Sequence, residues 1–368
     1  MLLPEFFKQV AAVLAGGRSL CLATIIAQSG SAPRPLGTVF AVDPGGGIIG
    51  SIGGGRLEAE VMDAAPQTLA AGQAVLMDFS LTGREAAQLE MICGGEVRVY
   101  LEPLQVGDPQ ALALARAAAA AAKDGHGFVW TLVQPGAMAE LAGRKGVWRP
   151  GEDLASLPAA LIGQARAGGG PRQPAWAPGP AGAGGFFLQP LLGQPVVYLF
   201  GGGHISLYLA PMLSLVGFGV VVVDDRPEFA GRDRFPQADG LLVRPFAAAL
   251  EGLSLDERSY VVIITRGHLH DKDVLAQVLR APAAYLGMIG SRRKKALIYQ
   301  ALLAEGYTQA ELERVHAPIG LSIGAETPAE IAVSIVAELI AVRARLSGSE
   351  RHLTHQVSIM ETKTCPAG

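Results

Sequence analysis

The segment Val196–Asp225, VVYLFGGGHISLYLAPMLSLVGFGVVVVDD, constrains this chain more than any other. The mostly apolar run Val196–Phe200 reads as a buried strand. It enters Gly201, Gly202 and Gly203, a helical stretch opens near His204, and a second strand, Val220–Val223, ends on Asp224 and Asp225. A glycine-rich turn between a strand and a helix offers backbone N–H groups and the positive end of the helix dipole to a phosphate. An acid about 20 residues further on is placed to hold a ribose hydroxyl. The third small position of the G-x-G-x-x-G spacing is Ser206, which sets helix and strand slightly less close. The competing reading is a tight βα turn that binds nothing.

Around this turn, strand-like runs alternate with helical ones. Leu241–Val243, Val261–Thr265 and Tyr285–Ile289 follow the first two strands. Such alternation implies parallel βαβ crossovers and a doubly wound sheet. The last helix has a clear start, with Thr327 as cap, Pro328 in the first turn and Glu330 completing a capping box. Ile331, Ile335, Leu339 and Val342 then line one face. Thr308 and Glu311 make a second box.

The fold class expected is α/β: an N-terminal α/β domain (1–109) and a C-terminal Rossmann-like doubly wound parallel sheet (191–346). Leu20–Ala27, Val39–Val42 and Val97–Leu101 supply strands of the first domain, and Gly55–Ala71 a helix. Residues 110–124 are alanine-rich and read as a helix. The stretch 126–160 reads either as extra strands of the first domain or as variable connecting structure. Gln164–Gly185, rich in Gly, Pro and Ala, reads as a linker or exposed loop without a regular element. Residues 110–190 thus form a variable connecting region, and 347–368 a polar tail.

With 368 residues, half of them hydrophobic, the chain can bury substantial cores. Its net charge of −3 and lack of a basic stripe argue against nucleic acid. The apolar start, MLLPEFFKQVAAVLAGG, is too short to span a bilayer and carries Glu5, so an amphipathic helix is expected and no membrane. Cys21, Cys93 and Cys365 are far apart and odd in number, which fits a reducing cytoplasm.

Several other loops carry ligand-binding chemistry. Gly30–Arg34 and Gly50–Gly55 are rich in backbone donors, and the second, with Gly53, Gly54 and Gly55, feeds a helix. Successive glycine N–H groups form an anion nest, and Arg34 adds a bidentate grip. Cys93, beside Gly94 and Gly95, can sit uncrowded as a soft ligand, or it is a core thiol. His268, His270, Asp271 and Asp273 follow a strand at the carboxyl edge of the sheet. They lie on one loop with no distant third ligand, so no metal site is assigned, and Asp271 serves equally as a helix cap. Ser291 and Arg292 open a cationic run, Arg292–Lys295, at a helix N-terminus, where the dipole disfavours positive charge. Such a conflict suits an anionic ligand, or it is a solvated charge run. No catalytic acid/base pair is apparent.

Taken together, GSAPRPLGTVFAV, GSIGGGRLEAEV and MICGGEVRVYLEP resemble the amino-terminal domain of the XdhC/CoxI family. FGGGHISLYLAPMLSLVGFGVVVVDDRPEFA, TRGHLHDKDVL, YLGMIGSRRKK and APIGLSIGAETPAEIAVSIVAELIAVR resemble its Rossmann-like domain. The resemblance implies an accessory protein, without turnover of its own, for xanthine dehydrogenase-type molybdenum hydroxylases. Such a protein binds molybdenum cofactor (molybdopterin) transiently, supports its sulfuration and delivers it to the apo-enzyme. The implied partners are that apo-hydroxylase and a cofactor sulfurase, with homo-oligomerisation left open. Glycine nests with Arg34 or Arg292 suit the pterin phosphate, and Cys93 falls on the family's CGG motif and suits the metal end. Gly201, Gly203, His204 and Asp224 fall on its nucleotide-like motif, where NAD(P) stays open. The rival classes are an NAD(P)-dependent oxidoreductase and a nucleotide-sensing regulator.

Overall fold

Residues 2–30, 32, 34–80, 95–125, 127–133, 145–166, 170–179, 184–266 and 268–346 are described by a computed structural model, apart from the side chains of Lys123, Asp124 and His268. Three sheets organise them.

The first sheet is antiparallel, with strand order β3-β2-β1-β5-β4. Its strands are β1 (Leu20–Ser29), β2 (Val39–Val42), β3 (Ile48–Gly50), β4 (Val75–Ser80) and β5 (Glu96–Leu104). Alternation along β1 separates two cores. Cys21, Ala23 and Ile25 meet Leu57, Val61 and Ala65 of helix α2 (Gly55–Ala71). On the other face, Leu20 and Leu22 meet helix α1 (Leu3–Ala15) and the alanine-rich helix α3 (Pro109–Asp124). Phe6 and Phe7 of α1 are almost fully buried there, as its amphipathic pattern requires. Cys21 is a core thiol: it contacts the Ala65 carbonyl at 3.3 Å. Burial, helped by the charge of Glu102, pushes its pKa up to about 12.

The region between the two halves holds a second antiparallel sheet, order β7-β6-β9-β8, and of the two readings for 126–160 the strand reading is the one the structure shows. Its strands are β6 (Phe128–Val133), β7 (Lys145–Trp148), β8 (Ala175–Pro178) and β9 (Gly185–Pro190), with a short helix α4 (Ile162–Arg166). The stretch 164–185 therefore does hold a strand. Composition suggested otherwise, but β8 pairs with β9 from Ala175 to Pro178, and Trp176 Nε1 donates to the Ile26 carbonyl at 2.8 Å. Tertiary pairing overrides weak local propensity here. This sheet stacks on the first, joining Val133 and Phe187 to Ile26 and Tyr100. Between the sheets lies a small cavity of ≈ 20 Å³ whose lining includes Thr24, Glu102, Thr131, Lys145 and Gln189. Lys145 and Glu102 form an ion pair there, with side chains only 11% and 6% exposed.

The third sheet is parallel, order β12-β11-β10-β13-β14-β15. Its strands are β10 (Val196–Phe200), β11 (Gly219–Asp224), β12 (Gly240–Val243), β13 (Ser259–Ile263), β14 (Tyr285–Met288) and β15 (Val315–His316). This is the 3-2-1-4-5-6 order of a Rossmann sheet, with its switch point between β10 and β13. Helices α5 (His204–Leu215) and α9 (Pro328–Leu346) cover one face. Helices α6 (His268–Val278) and α7 (Arg292–Ala304) cover the other. A short helix α8 (Gln309–Glu313) starts with the expected Thr308–Glu311 capping box. Thr327 and Glu330 form the second box, and Ile335, Leu339 and Val342 are buried as their spacing requires.

Segments flanking the second antiparallel sheet meet the parallel sheet at its amino edge. Arg172 pairs with Glu257. Arg258 lies so close across Gly125 and Gly193 that neither has room for a side chain. The carboxyl edge points the other way. Among the described residues no helix is long and apolar enough to cross a membrane.

Candidate functional site at the carboxyl edge

The glycine turn after β10 has a separate reason for each glycine. Gly201 takes φ +115°, and a Cβ there would come 2.3 Å from the Ile264 carbonyl oxygen. At Gly202 a Cβ would come 1.9 Å from the Phe229 carbonyl oxygen. Gly203 is different, since a Cβ there would meet nothing within 4 Å among the described residues. It caps α5 without any side-chain hydrogen bond, so the first N–H groups of α5 lack intrahelical partners. Ser206, the departure from the glycine spacing, is fully buried and donates its hydroxyl to the Gly201 carbonyl. It fastens the turn to the helix.

The two acids at the end of β11 have distinct environments. Asp224 is 1% exposed. Its Oδ2 accepts from Gly202 N at 2.8 Å, and Arg226 binds both its oxygens, Nε to Oδ1 at 3.0 Å and Nη2 to Oδ2 at 3.2 Å. Burial opposes its charge, but the Arg226 guanidinium and the N–H groups of Gly202 and Arg226 outweigh burial and hold its carboxyl below the usual range. Asp224 therefore positions the turn. Asp225 is half-buried, and Arg266 holds its Oδ2 at 2.5 Å. Its Oδ1 is shielded from solvent and has no hydrogen-bond partner among the described residues. Arg226 Nε stands 3.7 Å away from it. Among the described residues Asp225 is thus held by cations alone, whereas Asp224 also accepts from the turn's backbone.

Cations surround the turn. Arg226 and Arg234 lie over the Phe229 ring, 3.5 and 4.9 Å from its centroid. Arg234 also donates to the Gly202 carbonyl at 3.2 Å, while its buried Nε has no partner among the described residues. Arg226, Phe229 and Arg234 are absent from the sequence-based set. The signal available was the cation directly following the acid pair, in Asp224-Asp225-Arg226-Pro227.

The other expected residues fall in three places. His204 is exposed at the first turn of α5, beside the glycine turn. Asp271 is fully buried; it accepts from Thr265 N at 3.1 Å and Thr265 Oγ1 at 2.5 Å, and pairs with Lys294. It ties the loop after β13 to α7, which accounts for one cation of the run at that helix. Ser291 caps α7 by accepting from Lys294 N at 3.2 Å, and Arg292 beside it is exposed. His268 begins α6, but its side chain lies outside the described residues. Among the described residues no cluster of metal-ligating groups occurs.

Arg34, Gly53, Gly54 and Gly55 belong to the amino-terminal half. Arg34 is exposed. The Gly50–Gly55 loop already holds an internal anion: Glu58 Oε1 accepts from Ser51 Oγ at 2.7 Å, Gly54 N at 2.9 Å and Ile52 N at 3.1 Å. Burial works against the charge, yet these donors lower the Glu58 pKa. Cys93 lies outside the described residues. Both glycine turns are thus fastened by a carboxylate, and at both helix starts, Gly54 and Gly203, a Cβ would meet nothing within 4 Å among the described residues.

Comparison with known proteins agrees with this architecture. Residues 13–80 match the XdhC and CoxI family, and residues 197–339 match the XdhC Rossmann domain. The chain is 36% identical over 156 residues to the uncharacterised protein YqeB of Escherichia coli (strain K12), covering 42% of this chain and 28% of that protein. It is 32% identical over 161 residues to a probable xanthine dehydrogenase subunit of Bacillus subtilis (strain 168), covering 44% of this chain and 47% of that one. Those two matches span less than half of each relative. The molybdenum cofactor insertion chaperone PaoD of E. coli (strain K12) aligns over 90% of this chain and 85% of its own, at 23% identity. A crystal structure of a xanthine dehydrogenase from Bacillus halodurans shares the fold, with TM-score 0.73, 23% identity and coverage of 98% and 99%. An antiparallel amino-terminal half, a 3-2-1-4-5-6 parallel sheet and both sequence matches identify the chain as a member of the XdhC and CoxI family.

Proposed function

We propose that this chain is an accessory protein for a xanthine dehydrogenase-type molybdenum hydroxylase. It holds molybdenum cofactor transiently, supports its sulfuration together with a cofactor sulfurase, and passes it to the apo-enzyme without turnover of its own. The observation that carries this reading is the uncapped start of α5 at Gly203, open to solvent and flanked by Arg226 and Arg234. Backbone N–H groups with nearby guanidinium groups suit a terminal phosphate. The half-buried Asp225 and Arg234 beside the turn add a carboxylate and a guanidinium that suit the donors and acceptors of a pterin. The bound group would supply the molybdenum chemistry to the recipient; this chain's residues bind and orient it. Arg34, His204, His268, Ser291 and Arg292 are proposed as further contacts, and Cys93 as contact for the metal end. The alignment with PaoD over most of both chains supports the same role.

NAD(P)-linked oxidoreduction is the second reading, favoured by the 3-2-1-4-5-6 strand order and by Asp225 at the end of β11. One experiment separates the two. The protein is purified from molybdenum-replete cells, assayed for molybdenum and pterin, titrated with NAD(P), and mixed with apo-hydroxylase. The expected result is bound pterin and more active hydroxylase than free cofactor yields, both lost in Gly203→Val. NAD(P)-linked turnover by the isolated chain without bound pterin would overturn the reading.

A further inference from the structure

Helices α5 and α9 lie side by side on the parallel sheet. Leu209 and Leu213 of the one, and Ala332, Ile335 and Leu339 of the other, enter the same core. Arg343 of α9 binds them together, donating to the Val216 carbonyl at 2.9 Å and covering the Phe218 ring at 4.5 Å. Their outer sides face away from the sheet and are apolar. α5 contains no Asp, Glu, Lys or Arg, and it leaves Tyr208 and Leu215 exposed at 47% and 87%. α9 exposes Val333 at 48% and Ile340 at 37%. Between Glu330 and Arg343 its only charged residue is Glu338, which turns inward to Tyr285, His316 and the Gly320 amide. A surface helix ordinarily carries charge on its outer side, and a contiguous apolar patch of this kind marks a contact surface.

The sequence of the stripe says what covers it. Val333, Ala337, Ile340 and Ala344 repeat at intervals of four, three and four, the spacing of a helix–helix seam. When a second α9 runs antiparallel about a two-fold axis crossing midway between Ala337 and Ile340, Val333 faces Ala344 of the other copy. Ala337 then faces Ile340. Every level pairs one large side chain with one small one, which is the condition for close interdigitation. Charge follows the same symmetry, because Glu326 and Glu330 lie at the start of α9 and the exposed Arg345 at its end. Antiparallel apposition sets the acidic end of each helix beside the basic end of the other, and opposes the two dipoles favourably. The face is about 28 Å long and roughly 20 Å wide, an outline of about 560 Å², which approaches the ~800 Å² per partner of a standard interface.

We propose that the α5–α9 face is the contact surface for a second copy of this chain, formed around an antiparallel α9 pair in this register. Both helices begin at the carboxyl edge of the sheet. The two-fold axis therefore sends the two glycine turns to opposite ends of the dimer, where each stays open to solvent.

Sedimentation of the full chain over a concentration series tests this, with near-UV circular dichroism as the check on folding. The wild type is expected to dimerise. Ile340→Glu should raise the dimer dissociation constant more than ~100-fold, since symmetry buries the unpaired carboxylate twice. Ala337→Ile should weaken the dimer by setting large against large, and adding Ile340→Ala should restore it by returning one large and one small residue to each level. A wild type that stays monomeric, a dimer indifferent to Ile340→Glu, or a double variant no better than Ala337→Ile would overturn the proposal. So would a monomer whose Val333→Glu variant loses only its binding to apo-hydroxylase, which assigns the face to the recipient.

Discussion

The amide of Gly202 donates to the carboxylate of Asp224 across 2.8 Å, so the acid at the end of β11 holds the glycine turn at the end of β10. The neighbouring acid, Asp225, keeps an unpartnered oxygen among the described residues. Two adjacent carboxylates therefore have separable roles. Asp224→Asn should cost about 1–3 kcal/mol of stability by weakening a buried charge-assisted network. Asp225→Asn should unfold like the wild type in urea and bind pterin or nucleotide less tightly. Urea melts beside ligand titration of both variants check the division of labour.

Two glycines of the turn should likewise behave differently. Gly202→Ala would drive a methyl group into the Phe229 carbonyl, where an ideal Cβ lies 1.9 Å from the oxygen. It should lower the melting temperature and the yield of folded protein. Gly203→Val meets no obstruction among the described residues, so it should melt close to wild type while losing ligand retention. Equal ligand retention in Gly203→Val and wild type would place the phosphate site elsewhere.

Acid should loosen both glycine turns. Asp224 and Glu58 have folded-state pKa values below their ordinary ones. Their ionised forms therefore stabilise the fold fully above the unfolded carboxylate range, about pH 4–5. That contribution disappears as pH falls through the lower folded values. Urea stability measured at intervals from about pH 7 to pH 3 should show a steep acid limb. Glu58→Gln should flatten the limb, leaving a stability that changes less with pH than that of the wild type.

The Glu102–Lys145 pair between the stacked sheets should be costly to break and cheap to replace. Its side chains are 6% and 11% exposed. Lys145→Met alone leaves a buried carboxylate and should cost about 3–5 kcal/mol. Pairing it with Glu102→Leu should recover most of that loss, as apolar replacements of a whole buried pair commonly do. A double-mutant cycle by denaturant unfolding measures the coupling.

Much of the carboxyl-terminal half was legible from residues alone. Strand runs such as Val196–Phe200 lie in a parallel sheet covered on both faces, so they are almost wholly apolar and stand out from their surroundings. Capping boxes such as Thr308–Glu311 are local, with each partner three residues away. The sheet at 128–190 was not legible. Its strands are short, and β6 pairs with β9 across more than 50 residues. Nothing local in the Ala- and Pro-rich stretch around Trp176 shows that its indole reaches the Ile26 carbonyl.

Local order alone determined that a glycine turn joins a strand to a helix here, with two acids ending the next strand. That follows because each element is defined by neighbours in the chain. Tertiary structure decided which donors and acceptors remain free. Glu58 fills the first glycine loop and Asp224 fastens the second, because backbone N–H groups shielded from water take the nearest available carboxylate. Only folding shows that Asp225 Oδ1 and Arg234 Nε go without a hydrogen-bond partner among the described residues and that Gly203 caps α5 without a side chain.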